Sequence, residues 1–364
     1  MARTTRKRMR STAGRRTAMF ARAAKGSAPL DGVDVILADL DGVVYAGPDS
    51  IPHAVDALNR AAGDGIRLGY ITNNASRTDA SVAEHLSSLG LTVAPEDVVT
   101  SPQAALRLLA DRVPAGSTVL VVGGEGLVHE LEKAGYVVTR STEDEPAAVV
   151  QGFAPEVGWT QLAEAAFALA DPDVVWVATN TDWTIPVARG IAPGNGTLVS
   201  AVHTAVGRLP VVAGKPETPI FDVARERFGA QRPVFLGDRL DTDILGATRA
   251  GMASVHVLTG IDRAKQLLAA EEDQRPTFIL EHLGQLHEPY PETRFSQEGR
   301  VATVGKSSVR IAGDRVEVVK DGGSTIDTLR AACAVIWNSG RPIYGLDVEE
   351  SLYVAAGAAG AGRA

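Results

Sequence analysis

The sequence predicts an α/β protein: a doubly wound parallel sheet, interrupted by an inserted α/β unit and followed by a small α+β unit. Three observations carry that prediction. From Val33 onward, short apolar runs alternate with helical stretches at a spacing suited to β–α–β crossovers. Several of these runs stop at a polar or acidic cluster, as strands do at the carboxyl edge of an open sheet, where ligands bind. After a second alternation of about 100 residues, runs of the first kind return at 211–213 and 234–236.

Taken in order, 33–38 is a strand ended by Asp39, 54–62 a helix, and 67–71 a strand ended by Thr72-Asn73-Asn74. A helix over 79–89 has Gly90 at its C-cap, and strand 98–101 leads into helix 103–111. The inserted unit opens with strand 118–122 and helix 127–134, then strands near 137 and at 148–151. Helix 160–170, strand 174–178, a Gly/Pro-punctuated loop over 180–196 and helix 198–206 complete it. Strands 254–258 and 277–280 end the first sheet. Residues 289–297 read as a linker; 300–304, 308–312 and 315–320 as a β-meander; 324–337 as a helix. The expected division is 31–103 with 211–288 as the main domain, 104–210 as the insert, and 298–355 as the C-terminal unit.

Charge narrows the partners. Residues 1–30 hold nine Lys or Arg and no acid, so without them the net charge falls from −8 to −17. The basic segment is expected to be a disordered tail. The acidic body argues against nucleic acid as a partner. No apolar run reaches the ~20 residues that span a bilayer, so no membrane partner is expected. The lone Cys333 excludes an internal disulfide and fits a buried small residue in a cytoplasmic, reducing compartment. The scattered histidines lack zinc-ligand spacing.

Four clusters carry chemistry. Asp39-Leu40-Asp41-Gly42-Val43 puts two carboxylates two residues apart at a strand end. One can attack phosphorus and the other can move a proton, while Gly42 lets the turn close on a phosphate. Thr72-Asn73 offers a hydroxyl and an amide to phosphate oxygens. Gly214-Lys215-Pro216 supplies a point charge. Gly237-Asp238-Arg239-Leu240-Asp241-Thr242-Asp243 places three acids in six residues, which repel one another unless a cation lies among them; hard oxygen donors favour Mg²⁺. Each cluster has its own bland reading: an Asx turn, a helix cap, a solvated lysine, or an acidic helix start favoured by the dipole. Their common position at strand ends makes them a set suited to phosphoryl transfer.

In order and wording these four clusters resemble the signatures of the haloacid dehalogenase (HAD) superfamily, and more closely its NagD-like branch, over roughly residues 33–285. That branch includes phosphoglycolate, glycerol-3-phosphate, pyridoxal-phosphate and 4-nitrophenyl phosphatases. The resemblance implies a Rossmann-like core with a type C2 α/β cap between the second and third signatures. It implies Asp39 as nucleophile and Mg²⁺ ligand, and Asp41 as general acid/base with its main-chain carbonyl on the metal. Gly42, Thr72, Asn73 and Lys215 would bind phosphate, and Asp238 and Asp243 would complete the metal site. Residues 178–196 resemble the specificity region of phosphoglycolate-like relatives, which marks Asn180, Asp182, Trp183 and Arg189 as cap residues facing substrate; the alternatives are a packing role for Trp183 and a surface position for Arg189.

The expected activity is hydrolysis of a small phosphorylated metabolite, glycerol 3-phosphate or 2-phosphoglycolate, through an aspartyl-phosphate. The alternatives are a pyridoxal-phosphate or nucleotide-type phosphatase, a phosphotransferase, and a non-enzymatic phospho-acceptor of the receiver type. Asp41 argues against the last, since it supplies the acid/base that turns a phosphoenzyme over. The cap and the C-terminal unit each offer a surface for a homodimer.

Overall fold

The computed structural model describes residues 28–187 and 189–354. The expected basic tail up to residue 27 and the Ala/Gly-rich end after 354 lie outside them. Six short apolar runs pair into an all-parallel sheet in the order Phe278–Leu280, Ala253–Val257, Pro233–Gly237, Val35–Ala38, Arg67–Thr72, Val98–Thr100. Val35–Ala38 and Pro233–Gly237 are buried along their whole length. That is the pattern of central strands covered on both faces. Ile36 and Ala38 join one core with Leu58 and Ala61 of helix Ala54–Gly63. Val35 and Leu37 join another with Phe221 and Phe228 of helix Thr218–Phe228.

Topology places the site. The chain leaves Val35–Ala38 toward one edge of the sheet and returns through Pro233–Gly237 toward the other. The crevice between these two strands is therefore the switch point, where open α/β sheets bind ligands. Their register pairs Ala38 with Leu236, so Asp39 and Asp238 emerge side by side.

A second parallel sheet runs Val211–Val212, Val175–Ala178, Ala148–Gln151, Thr118–Val122, Val137–Thr139. Residues 211–213 were expected in the first sheet. Instead Val211 pairs with Val177 and Val212 with Ala178, and Ala213 N–H donates to Ala178 O. A two-residue pairing carries no sign of which sheet it joins; only its neighbours decide. The expected break at residue 104 falls inside helix Ser101–Ala110. Ala104 and Leu109 of that helix share a core with Val119 and Val121 of the second sheet as well as with Ile71 and Val99 of the first.

Two further readings change. The presumed loop 180–196 contains an antiparallel hairpin, Thr184–Val187 with Gly190–Pro193. Its Gly and Pro residues sit on a two-stranded ribbon with free edges, where proline is tolerated. The presumed linker contains strand Thr293–Ser296, exposed throughout, which lacks the apolar alternation that marks a half-buried strand. It forms the edge of a five-stranded sheet with Val301–Val304, Ser307–Ala312, Arg315–Lys320 and Asp347–Val348. Helix Thr325–Ser339 covers that sheet.

The C-terminal unit does not dangle. Leu329, Ala332, Cys333 and Val335 share one core with Leu240, Ile244, Leu258 and Leu267. The buried guanidinium of Arg330 donates from Nε and Nη2 to Ile279 O, at 2.9 and 2.7 Å. Leu329→Ala should therefore cost about 2–5 kcal/mol of stability. A lower urea midpoint at unchanged slope would show it.

Candidate active site

Three buried carboxylates meet at the switch point. Asp39 follows Val35–Ala38, Asp238 follows Pro233–Gly237, and Asp243 lies in the π-helical turn Leu240–Ile244. Asp238 and Asp243 are 1% and 0% exposed, and each of the three offers an oxygen within 4.8 Å of the others. So many buried negative charges need a counter-charge. Lys215 supplies one: its Nζ lies 2.6 Å from Asp39 Oδ1 and 2.7 Å from Asp243 Oδ1. With all three ionised, one ammonium leaves two negative charges, a deficit that a divalent cation would fill.

The remaining oxygens show how the set is held. Asp243 Oδ2 accepts from the N–H groups of Asp238 and Arg239, both at 3.1 Å. Asp238 Oδ2 accepts from Ile261 N–H at 2.6 Å, whereas its Oδ1 is buried with no protein partner. An unpartnered buried carboxylate oxygen among hard donors fits a cation such as Mg²⁺. The Asp41 carboxylate lies outside this cluster and opens to solvent.

Electrostatics follow the packing. Burial and the charge of Asp243 push Asp39 up to about 7, against the pull of Lys215. Burial, then Asp243 and Asp39, push Asp238 well above the carboxylate range. Burial works against the charge of Lys215, but Asp243 and Asp39 outweigh it and strengthen its hold on the proton. The protein around Asp41 strips enough water to raise its carboxyl, opposed by Lys215 and Arg77.

Glycines make room. Gly42 has φ 81°, and a Cβ on it would lie 2.5 Å from Asp238 Oδ2. On Gly237 a Cβ would come within 2.3 Å of Asp243 Cβ. Neither position admits a side chain without moving a carboxylate.

Thr72 and Asn73 stand at the end of Arg67–Thr72, both buried. Thr72 Oγ1 accepts from Asn74 N–H at 3.1 Å, which orients its hydroxyl. Asn73 was expected to hold phosphate with its amide, but that side chain is committed elsewhere. Its Oδ1 accepts from Lys215 N–H at 2.8 Å, and its Nδ2 donates to Lys215 O at 3.0 Å and Asp182 Oδ1 at 3.1 Å. Its carbonyl accepts from Asn180 Nδ2 and Ser101 Oγ, both at 2.7 Å. Asn73 thus welds the strand ends of the two sheets together.

Of the residues expected to face substrate, Asn180 and Asp182 join this network. Burial raises Asp182 above its usual range, opposed first by Arg239. Trp183 is 64% exposed, and Arg189 is exposed next to the hairpin strand Gly190–Pro193. Sequence reasoning missed Ser101 and the turn 259–262, which carries Ile261. The signal available for that turn was Thr259-Gly260 just after an apolar run, too short to stand out.

Comparison with known proteins gives the family. A family model described as haloacid dehalogenase-like hydrolase matches residues 36–137, and a HAD-hydrolase-like model matches 212–286. The D-glycerol 3-phosphate phosphatase of Mycobacterium tuberculosis is 41% identical over 311 residues, covering 84% of this chain and 86% of its own. The chain belongs to the haloacid dehalogenase-like hydrolases. The glycerol-3-phosphate phosphatase of Gallus gallus is 36% identical over 74% of this chain and 93% of its own length. Among solved structures, glycerol phosphate phosphatase from M. tuberculosis in complex with magnesium superposes with TM-score 0.78 at 38% identity. That match covers 89% of this chain and 94% of the other. Among the described residues, no helix is long and apolar enough to cross a membrane.

In this HAD-like site, Lys215→Met should leave Asp39 and Asp243 buried without their cation. Stability without divalent ions should fall by about 3–5 kcal/mol. Thermal unfolding in chelator, repeated with added Mg²⁺, reads the loss and its partial recovery.

Proposed function

We propose that this protein is a Mg²⁺-dependent phosphatase whose preferred substrate is glycerol 3-phosphate, with 2-phosphoglycolate next. The observation that carries the phosphatase reading is the carboxylate set at the switch point, bridged by Lys215, with Asp238 Oδ1 unpartnered. The substrate rests on the relatives, two of which are named as phosphatases of glycerol 3-phosphate, and on the resemblance of segment 180–182 to such relatives.

Asp39 attacks phosphorus through a carboxylate oxygen while the P–O bond to the substrate alcohol breaks, forming an aspartyl-phosphate. Asp41 gives its proton to the departing alkoxide. It then takes a proton from water as the water oxygen attacks the same phosphorus, which returns Asp39 as a carboxylate and frees inorganic phosphate. The raised affinity of Asp41 for its proton suits the first half of that cycle. Thr72 and Lys215 hold phosphoryl oxygens, and Asn73 fixes Lys215 by its main chain. Mg²⁺ held by Asp39, Asp238 and Asp243 would neutralise phosphoryl charge. Asn180 and Asp182, projecting from the second sheet, shield the phosphate from water. Trp183 and Arg189, exposed in the same segment, are the residues left to meet the leaving group. The homodimer and the cytoplasmic setting expected from the sequence belong to the same reading.

The test is phosphate release with Mg²⁺ across glycerol 3-phosphate, 2-phosphoglycolate, pyridoxal phosphate, 4-nitrophenyl phosphate and a nucleotide. Glycerol 3-phosphate should give the highest kcat/KM; a clear preference for another ester would replace it. Asp39→Asn should abolish turnover, and residual activity within tenfold of wild type would refute the nucleophile. Asp41→Asn should lower kcat by roughly 10²–10⁴-fold and let phosphoenzyme accumulate, seen by rapid acid quench.

A further inference from the structure

The loop that carries Asp238 and Asp243 is held from behind by a turn outside all four motifs. Thr259 Oγ1 donates to Gly42 O at 2.7 Å, tying the turn to the Asp39–Asp41 segment. Ile261 N–H donates to Asp238 Oδ2 at 2.6 Å, and Asp262 N–H donates to Asp238 O at 3.1 Å. The Asp262 carboxylate accepts from Leu240 N–H at 2.7 Å through Oδ2. Asp262 therefore grips the cation loop twice, by its main chain at Asp238 and by its side chain at Leu240. A Cβ on Gly260 would lie 1.9 Å from Asp238 Oδ2, so the turn presses against that carboxylate as closely as backbone allows.

Asp262 is itself anchored. His256 is fully buried, and its Nε2 lies 2.9 Å from Asp262 O. A carbonyl only accepts, so Nε2 carries the proton. Burial pushes His256 down to about 4, which leaves its buried Nδ1 without a proton. Behind the turn, Leu258, Ala264 and Leu267 pack into the core that includes Ala332, Val335 and Leu352 of the C-terminal unit. Trp337 Nε1 donates to Leu267 O at 3.2 Å. The C-terminal unit thus backs the turn, and the turn backs the cation loop.

We infer that Asp262 is a positioning residue: it holds Asp238 and the start of turn Leu240–Ile244 in the geometry a divalent cation needs. This rests on the reading of Asp39, Asp238 and Asp243 as a cation site. Partners that orient ligands from behind typically contribute 10- to 100-fold in metal affinity, and a carboxylate that holds the loop only through Leu240 N–H belongs at the lower end of that range.

The experiment is calorimetric titration of Mg²⁺ into the full chain without substrate, for wild type, Asp262→Ala and Asp262→Asn. The Ala variant should bind Mg²⁺ about tenfold more weakly, and excess Mg²⁺ should restore its turnover. The Asn variant keeps an oxygen for Leu240 N–H and should stay within about threefold of wild type. An unchanged Kd in the Ala variant would overturn the inference. An equal loss in both variants would overturn it too, since the effect would then belong to the lost charge. Should the Ala variant fail to fold, Asp262→Leu, which keeps side-chain bulk without an oxygen for Leu240 N–H, takes its place. A threefold or greater rise in Kd there supports the inference, and no change overturns it. No Mg²⁺ binding by wild type would overturn the cation site itself and this inference with it.

Discussion

Burying three carboxylates at one point is the constraint on which the rest of the structure depends. Removed from water and left unpaired, they would drive the strand ends apart or take up protons. Lys215 answers part of that demand, bridging Asp39 and Asp243 at 2.6 and 2.7 Å. The deficit that remains suits the site to a divalent cation and, on the proposed reading, to the phosphate such a cation would attract. Stability and function here pull in opposite directions: what makes the empty site costly is what makes it chemically useful.

Lys215 reaches that position from an unexpected side. It follows a strand of the second sheet and enters the carboxyl edge of the first. Its main chain is held at both N–H and C=O by the Asn73 side chain, which also reaches Asp182. Asn73 therefore couples three things: where the lysine points, where the second sheet sits, and where Asp182 faces. On the proposed reading, a phosphate entering the crevice would meet groups already oriented, which is how such sites avoid reorganisation during reaction.

Much of this was legible in the chain. Asp39, Asp41, Thr72, Lys215, Asp238 and Asp243 stand out as a set: each alone has an ordinary structural explanation, but their clusters recur at the ends of apolar runs. The paired strands of the first sheet were legible for a related reason, since burial on both faces demands continuous apolar runs. Failures occurred where local signal was weak. Val211–Val212 is too short to declare its sheet, Thr293–Ser296 is an exposed edge strand without alternation, and the hairpin at 184–193 hides behind Gly and Pro. Asn73 was read as an anion clamp because an amide suits either task, and only its neighbours show which it performs.

The sequence by itself determined the chemistry: which acids, which hydroxyl and which lysine lie at strand ends, and hence the reaction they can run. Those facts are local, set by residue type and by position relative to an apolar run. Tertiary structure alone decided how the set is assembled. It placed Asp39 beside Asp238 by strand order, brought Lys215 in from the other sheet, and set Asp262 behind the cation loop with the C-terminal unit at its back. Such relations join residues as distant as Gly42 and Thr259, 217 positions apart. Hydrogen bonds and packing over such separations depend on register and topology, which no local pattern encodes.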